Sequence, residues 1–547
     1  MRLKKAFLIL LLSTISLFAS PNGSWTDQEI IINVNRDLLQ HDTHLLKNQA
    51  TLKRLYNSRQ NRPLWLTNRG IKGKRVNQLL SLIQRDVTLN PRGNIHKKSK
   101  IIKKVLAHHH TKESIVLLEL QLTTLYLDFL KHTIYGEIDW KAFDAYLKSL
   151  EEKNIEANWV HEYPKYFNLP TLLSQEDIAQ TIRQITPQGY HYKKLSSALY
   201  KLYKIKWRGG WKKLPPFKSL KKGQSSSIVP KLRQRLTISG DYRACSTKTS
   251  SKLFDACLEK AVKRFQTRHS TTADGVVGSG TQKLLNISVN TKIKKLLLNI
   301  DRIKWLPRNQ EKRYIVVNIP EYMLHLYEYN KEIKRHRVIV GDPEHPTPIF
   351  NDKLSYITLN PYWKLPPGII KKEVVPEMIK NRNYIKKHGL EAHKTWEEDS
   401  PIVSLKKIKW SKYLKDGVKF PYRLMQPPGP KNALGQIKFK FPNKFSVYLH
   451  DTPTRYLFKR TYRAFSHGCV RVSKPRKLLT TIASFNPDIN LNKTTKILKG
   501  KRKKQLNLKE KLRIYLVYLT AGMNDEGELE FRDDIYRYDR YQKRISR

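Results

Sequence analysis

Cys469 closes the run Ser466-His467-Gly468-Cys469, and His450 stands nineteen residues before it at the end of "KFSVYLHDTP" (444–453). A thiol attacks a carbonyl carbon as its thiolate, so it needs a base and a pair of donors for the oxygen that becomes charged. Gly468 lets the chain turn tightly and leaves the amides of Gly468 and Cys469 free to meet a substrate oxygen. Ser466 and His467 then serve to orient the loop. His467 is close in sequence, yet a residue two positions before a nucleophile suits orientation better than proton transfer. His450 is the stronger base candidate, because it ends a strand just before a proline-containing turn, where a neighbouring strand can bring it to the cysteine. Tyr448 shares the strand face of His450 and is a candidate to line the cleft, with core packing as its alternative. Asp451 faces the other way and suits a turn cap.

Three roles compete for Cys469: reacting thiol, metal ligand and buried core. A zinc site made of Cys469, His450 and His467 would have only three ligands and no C-x-x-C partner. "AHHHT" (107–111) is no better, since consecutive histidines on a helix point in different directions. We therefore expect no metal and no cofactor.

The surrounding chain must hold these groups. At 547 residues it exceeds one compact core and should divide into several units. "MRLKK" followed by the apolar run Ala6–Ala19 reads as a secretory signal, residues 1–20, too short to span a bilayer of roughly 20 residues. If uncleaved it would be the one membrane contact. Export implies an oxidising compartment, in which Cys245 and Cys257 can pair and Cys469 is left as the odd thiol. The 105 Lys and Arg against 46 Asp and Glu give a net charge of +59, spread along the whole chain. No recognition-helix, zinc-finger or basic heptad signature accompanies it, so a nucleic-acid partner is not expected. An anionic envelope or a general basic bias accounts for the charge equally well.

Residues 27–220 read as helical, with "IVLLELQLTTLYLDFLKHTIYGEIDW" (115–140) repeating apolar positions at three and four and ending near Gly136. The Gly/Pro-rich 208–227 reads as a linker or extended surface segment. Residues 228–288 form a small helical unit, with Leu253, Phe254, Leu258, Val262 and Phe265 on one stripe and Thr281 as a candidate cap. A connecting helix falls within 289–309. From 310 to 536 the pattern is β-rich, interrupted at 370–430 by a polar and aromatic stretch that is either a lid or a passive excursion. A hairpin turning at Asn524–Gly527 ends the domain, and 537–547 reads as a basic tail.

His450, fifteen intervening residues and then Ser466-His467-Gly468-Cys469 resembles the signature of the L,D-transpeptidase catalytic domain, which remodels bacterial peptidoglycan. "VNIPEYMLHLYE", "LNPYWKLPPGI", "YLHDTP" and "SHGCVRV" resemble the large periplasmic branch of that family in order and context. The 228–288 unit is similar to peptidoglycan-binding modules, and "YNSRQNRPLWL" and "LYKLYKIKWRGGW" resemble that branch's scaffold. The implied fold is multidomain α+β: a helical scaffold, a small peptidoglycan-binding-like module and a β-rich catalytic domain with a lid insertion.

The resemblance implies that Cys469 attacks the carbonyl of a diamino acid at the third position of a stem tetrapeptide and expels D-Ala, with His450 as general base and then acid. A second stem's side-chain amine would accept the acyl group. Water as acceptor would make an L,D-carboxypeptidase, and an inert Cys469 a non-catalytic wall-binding protein. Arg471 stands where the broad family pattern has Asn; it would pair with a substrate carboxylate or brace the loop. Trp363 is a candidate substrate platform, with core packing as its alternative. The implied partners are stem peptides, glycan strands and other envelope proteins, in the periplasm of a Gram-negative bacterium.

Overall fold

The computed structural model describes residues 43–545 apart from 69, 109–111, 162–166, 244–250, 308–310 and 416. The expected signal segment, Cys245, His109 and His110 lie outside those residues. Cys469 is a free thiol. No helix among the described residues is long and apolar enough to cross a membrane, and no cluster of His, Cys, Asp or Glu among them has metal-site geometry.

The N-terminal unit is built around the helix Lys112–Tyr135. Leu118, Leu120, Leu122, Leu125, Leu127 and Leu130 are all buried, so this helix is apolar around its circumference and sits inside its bundle. It stops at Gly136, whose φ of +66° is left-handed. A Cβ there would lie 2.5 Å from Asp301 Oδ1, so only glycine allows the helix Val289–Lys304 to pack this close.

That connecting helix starts where Ser288 Oγ accepts from the Thr291 amide, and it carries buried charges through the middle of the molecule. Asp301 pairs with Lys304 Nζ at 3.2 Å and with Arg544 Nε at 2.6 Å, and Arg544 also reaches Glu137 at 3.1 Å. Arg544 belongs to the stretch expected as a basic tail. Instead, the stretch is anchored: Tyr538 is fully buried, Arg544 meets the buried Asp301 and Asp539 meets Arg302 of the connecting helix, while Arg537, Arg540 and Lys543 are exposed.

In the small central unit Asp255 caps the helix Ala256–Thr267 by accepting from the Leu258 amide. The expected apolar stripe therefore begins later than its sequence suggests: Leu253 precedes the helix and is exposed, while Phe254, Leu258, Val262 and Phe265 are buried. Gln266 holds the following glycine turn, accepting from the Gly275 amide and donating to Asp274 and the Val276 carbonyl. Thr281 does not cap the last helix; Gly278 occupies the cap, and Thr281 accepts from Gln266 at 3.2 Å inside it. Leu214 and Leu220 of the 208–227 stretch are buried in the same core, so that stretch is part of the unit's packing.

The C-terminal domain contains strands β1 (Arg313–Asn318), β2 (Met323–Glu328), β3 (Lys331–Gly341), β4 (Phe350–Leu359), β5 (Trp363–Lys364), β6 (Glu391–His393), β7 (Arg423–Gln426), β8 (Ile437–Lys440), β9 (Leu449–His450), β10 (Ala464–Ser466), β11 (Val470–Val472), β12 (Lys504–Val517), β13 (Ala521–Met523) and β14 (Leu529–Phe531). Nine of them form one sheet in the order β10-β3-β11-β9-β8-β4-β12-β1-β2, and a β2–β3 pairing returns the far end to β3. β13 and β14 make the expected terminal hairpin. The polar stretch between β4 and β8 holds its own three-stranded sheet, β5-β7-β6, over a separate apolar cluster that includes Leu365, Val375, Trp410 and Leu424.

Ile138, Trp140, Phe143 and Leu147 of the helical unit share one apolar core with the large sheet. Two backbone bonds extend this junction: Ile349 N donates to Asn158 O at 2.9 Å and Val160 N to Ile349 O at 2.8 Å. The helix Trp140–Glu151 and the segment after it are thus fixed against the β domain.

Candidate active site

Alternation along three short strands builds the site. Ile437 and Phe439 of β8, Leu449 of β9, and Val470 and Val472 of β11 are fully buried on the core face. Their neighbours must then point to the opposite face. Register aligns them: Lys438 pairs with Thr358 of β4 and with His450 of β9, and His450 pairs in parallel with Arg471 of β11. The adjacent row begins with Tyr356 opposite Lys440. It continues to Tyr448 and Cys469, where the Val470 amide donates to the Tyr448 carbonyl at 3.1 Å. His450 and Cys469 therefore occupy neighbouring rows of one face.

The loop before Cys469 is held at both ends. Gly468 has a φ of +95°, a conformation that residues with a Cβ rarely adopt. Its carbonyl accepts from Thr347 Oγ1 at 2.8 Å, and Ser466 Oγ donates to the Cys469 carbonyl at 2.5 Å. The half-buried Cys469 Sγ lies 3.9 Å from the Ser446 carbonyl. Burial pushes the thiol above its ordinary range, while the amide and hydroxyl of Tyr448 and the charges of Lys438 and Lys440 pull it back.

His450 is buried, and its Nδ1 lies 2.6 Å from the Asp451 carbonyl. A carbonyl only accepts, so Nδ1 carries the proton and Nε2 is left as the basic nitrogen. Burial and the charge of Arg471 push His450 down to about 3, so it is neutral at physiological pH. Arg471 braces the following loop, donating to Thr454 Oγ1 at 3.2 Å.

His467 turns away from this pair. Its Nε2 meets Glu373 Oε1 at 2.7 Å, and its ring lies 4.3 Å from that of His345. The Glu373 contact pushes His467 up from its ordinary value. Glu373 sits on a π-helical turn, Ile370–Val374, in the excursion between β4 and β8. Trp363 is not brought to the thiol face; it packs half-buried against the excursion's own apolar cluster.

Sequence reading missed Lys438, Lys440 and Glu373. The two lysines were visible in "IKFK", whose alternation puts both opposite the buried Ile437 and Phe439. Lys438 Nζ stands 3.8 Å from the Tyr448 ring centre, and burial brings it down to about 8. The face can thus polarise and attack an acyl group: a thiol, a neutral imidazole with one fixed tautomer, and cations placed to favour developing negative charge.

Residues 312–497 match the L,D-transpeptidase catalytic domain family, residues 50–199 a scaffold domain family, and residues 225–285 a family described as "Putative peptidoglycan binding domain". A Haemophilus influenzae protein named "Putative L,D-transpeptidase" is 35% identical over 246 residues, which are 45% of this chain and 48% of that protein. The chain spans about half the length of that curated relative. Solved L,D-transpeptidases from Xylanimonas cellulosilytica and Stackebrandtia nassauensis are 15% and 16% identical. Each match covers 55% of this chain, with 99% and 97% of theirs, at TM-scores of 0.18 and 0.19 that carry no structural argument. Residues 312–497 thus match an L,D-transpeptidase catalytic domain, and the matches to a scaffold domain and a peptidoglycan-binding domain precede it along the chain.

Proposed function

We propose that the chain is a peptidoglycan L,D-transpeptidase with Cys469 as nucleophile and His450 as general base. The observation that carries this is the parallel β9–β11 register, which puts His450 on the face of Cys469 while Asp451 fixes its tautomer.

As Sγ bonds to the carbonyl carbon of the third, diamino residue of a stem tetrapeptide, the thiol proton passes to His450 Nε2. The imidazolium formed is a strong acid because it is buried near Arg471. It readily protonates the amine of the departing D-Ala, leaving a thioester. The amides of Gly468 and Cys469 hold the carbonyl oxygen, and Tyr448 and the two lysines favour charge building on sulfur and oxygen.

A second stem then delivers its side-chain amine. Nitrogen bonds to the carbonyl carbon, the C–S bond breaks, one proton of the incoming ammonium returns to Sγ and another goes to solvent. Water in place of the amine gives the tripeptide and an L,D-carboxypeptidase. The peptidoglycan-binding domain keeps the catalytic domain on its glycan and peptide substrate, outside the cytoplasm.

Incubating the purified chain with disaccharide-tetrapeptide and following products by mass spectrometry tests the assignment. Cross-linked dimers are expected. Tripeptide without dimer means hydrolysis, and neither product overturns the acyl-transfer reading.

A further inference from the structure

A cleft of about 500 Å³ opens between the helical unit and the β domain. One wall is the turn after the helix Trp140–Glu151, with Glu151, Asn154, Glu156 and Asn158; the other carries Lys372 of the π-helical turn and Lys444-Phe445 of the β8–β9 loop. Its size falls within the roughly 300–1,000 Å³ typical of ligand sites.

Two connections put it beside the thiol. Phe445 precedes Ser446, whose carbonyl is 3.9 Å from Cys469 Sγ. Lys372 precedes Glu373, which holds His467 Nε2 at 2.7 Å. The wall from the helical unit is fixed where Asn158 and Val160 bond to Ile349 of the β domain.

The charges in the cleft are unusual for this chain. Acids are outnumbered 105 to 46, yet two carboxylates face this one opening. None of Glu151, Glu156, Lys372 and Lys444 forms an ion pair among the described residues. Charges that hold a fold together are paired, as Asp301 and Arg544 are. Unpaired charges of both signs around a cleft suit a ligand that carries both signs.

We propose that this cleft is the acceptor subsite, taking the free amine end of a second zwitterionic stem peptide and completed by the helical unit. This rests on the transpeptidase reading above. Glu151 and Glu156 take the ammonium, and Lys372 and Lys444 take the stem's carboxylates. Asn154 and Asn158 meet peptide groups, and Phe445 covers the alkyl chain. The carboxylates draw the cationic amine toward the one thioester on an otherwise cationic surface.

The test compares the full-length chain with Glu151→Gln/Glu156→Gln on disaccharide-tetrapeptide. Two readouts are taken: the dimer-to-tripeptide ratio, and the rate of Cys469 acylation by a carbapenem, read by intact mass. The proposal expects the ratio to fall about three- to tenfold with acylation unchanged. The charge reversal Glu151→Lys/Glu156→Lys should lower it further, and Glu152→Gln, next to the cleft but outside its lining, should not change it. An unchanged ratio in the double variant overturns the subsite while the enzyme assignment stands. Slower acylation overturns it in favour of a donor subsite. A parent enzyme that makes no dimer overturns the acceptor reading at its root.

Discussion

Two clusters of buried charge in this molecule are built on opposite plans. At the junction of the helical unit, the connecting helix and the C-terminal segment, cations and carboxylates balance: Asp301 and Glu137 face Lys304 and Arg544, with His132 Nδ1 3.3 Å from Glu137. At the thiol face, Lys438, Lys440 and Arg471 surround His450 and Cys469, and none of the three forms an ion pair with a carboxylate among the described residues. A balanced cluster holds segments in register. An excess of one sign raises the energy of the empty site and lowers that of any state in which sulfur or a substrate oxygen turns negative. The difference separates charges balanced within the fold from charges left unbalanced at the proposed site.

The largest effects should fall on the second plan. Cys469→Ala should remove dimer and tripeptide completely, and His450→Gln should lower the acylation rate by about 10²–10⁴-fold, both with unchanged thermal unfolding near neutral pH. If Cys469→Ser keeps full activity, the nucleophile is elsewhere. The first plan should respond the other way. Asp301→Asn leaves Lys304 and Arg544 without their shared partner and should cost about 3–5 kcal/mol, read as a lower urea midpoint. An unchanged midpoint would mean the junction is not balanced as described.

How much of this was readable in the residues depends on the range over which each interaction acts. Gly468, His450 and Cys469 were legible because turn conformation and strand alternation are local. The faces of Lys438 and Lys440 follow from the same alternation, but their place beside His450 comes from β8–β9 register, which no local pattern encodes. Leu253 fits a helical period and yet lies outside the helix, because Asp255 caps the chain two residues later. Arg544 reads as solvated with the rest of 537–545 until the fold supplies Asp301 as its partner, whereas Arg537, Arg540 and Lys543 are exposed. Glu373 has no local signal at all, since its contact with His467 spans the whole excursion.

The thiol face also has a characteristic dependence on pH. Burial holds Cys469 above its ordinary value near 9 and His450 down at about 3. Between these limits the pair is neutral thiol and neutral imidazole, so iodoacetamide alkylation should rise continuously from pH 6 to 9 with no plateau near neutrality. Lys438→Met removes a charge that favours the thiolate and should slow alkylation about threefold or more at pH 8. A plateau below pH 7 would mean a resting thiolate–imidazolium pair. Stability has the opposite limb: a histidine depressed in the fold stabilises it above the ordinary value of 6.5 and loses that contribution as pH falls toward 3. His450→Gln should therefore flatten the loss of stability between pH 6.5 and 4.

The smallest effect should come from the contact that lies between the two plans. His467 and Glu373 form a close pair, but their side chains are 38% and 42% exposed, so solvent screens it and its worth is below about 1 kcal/mol. Glu373→Gln should leave the unfolding midpoint nearly unchanged. It also removes the main cause that raises His467, so the imidazole titration followed by NMR should move down toward the ordinary histidine value. If the contact only decorates the surface, product formation stays at the parent level. If it positions the π-helical turn over the thiol, the rate falls a few-fold and Glu373→Asp restores part of it, with the dimer-to-tripeptide ratio shifting toward hydrolysis as the excursion loosens.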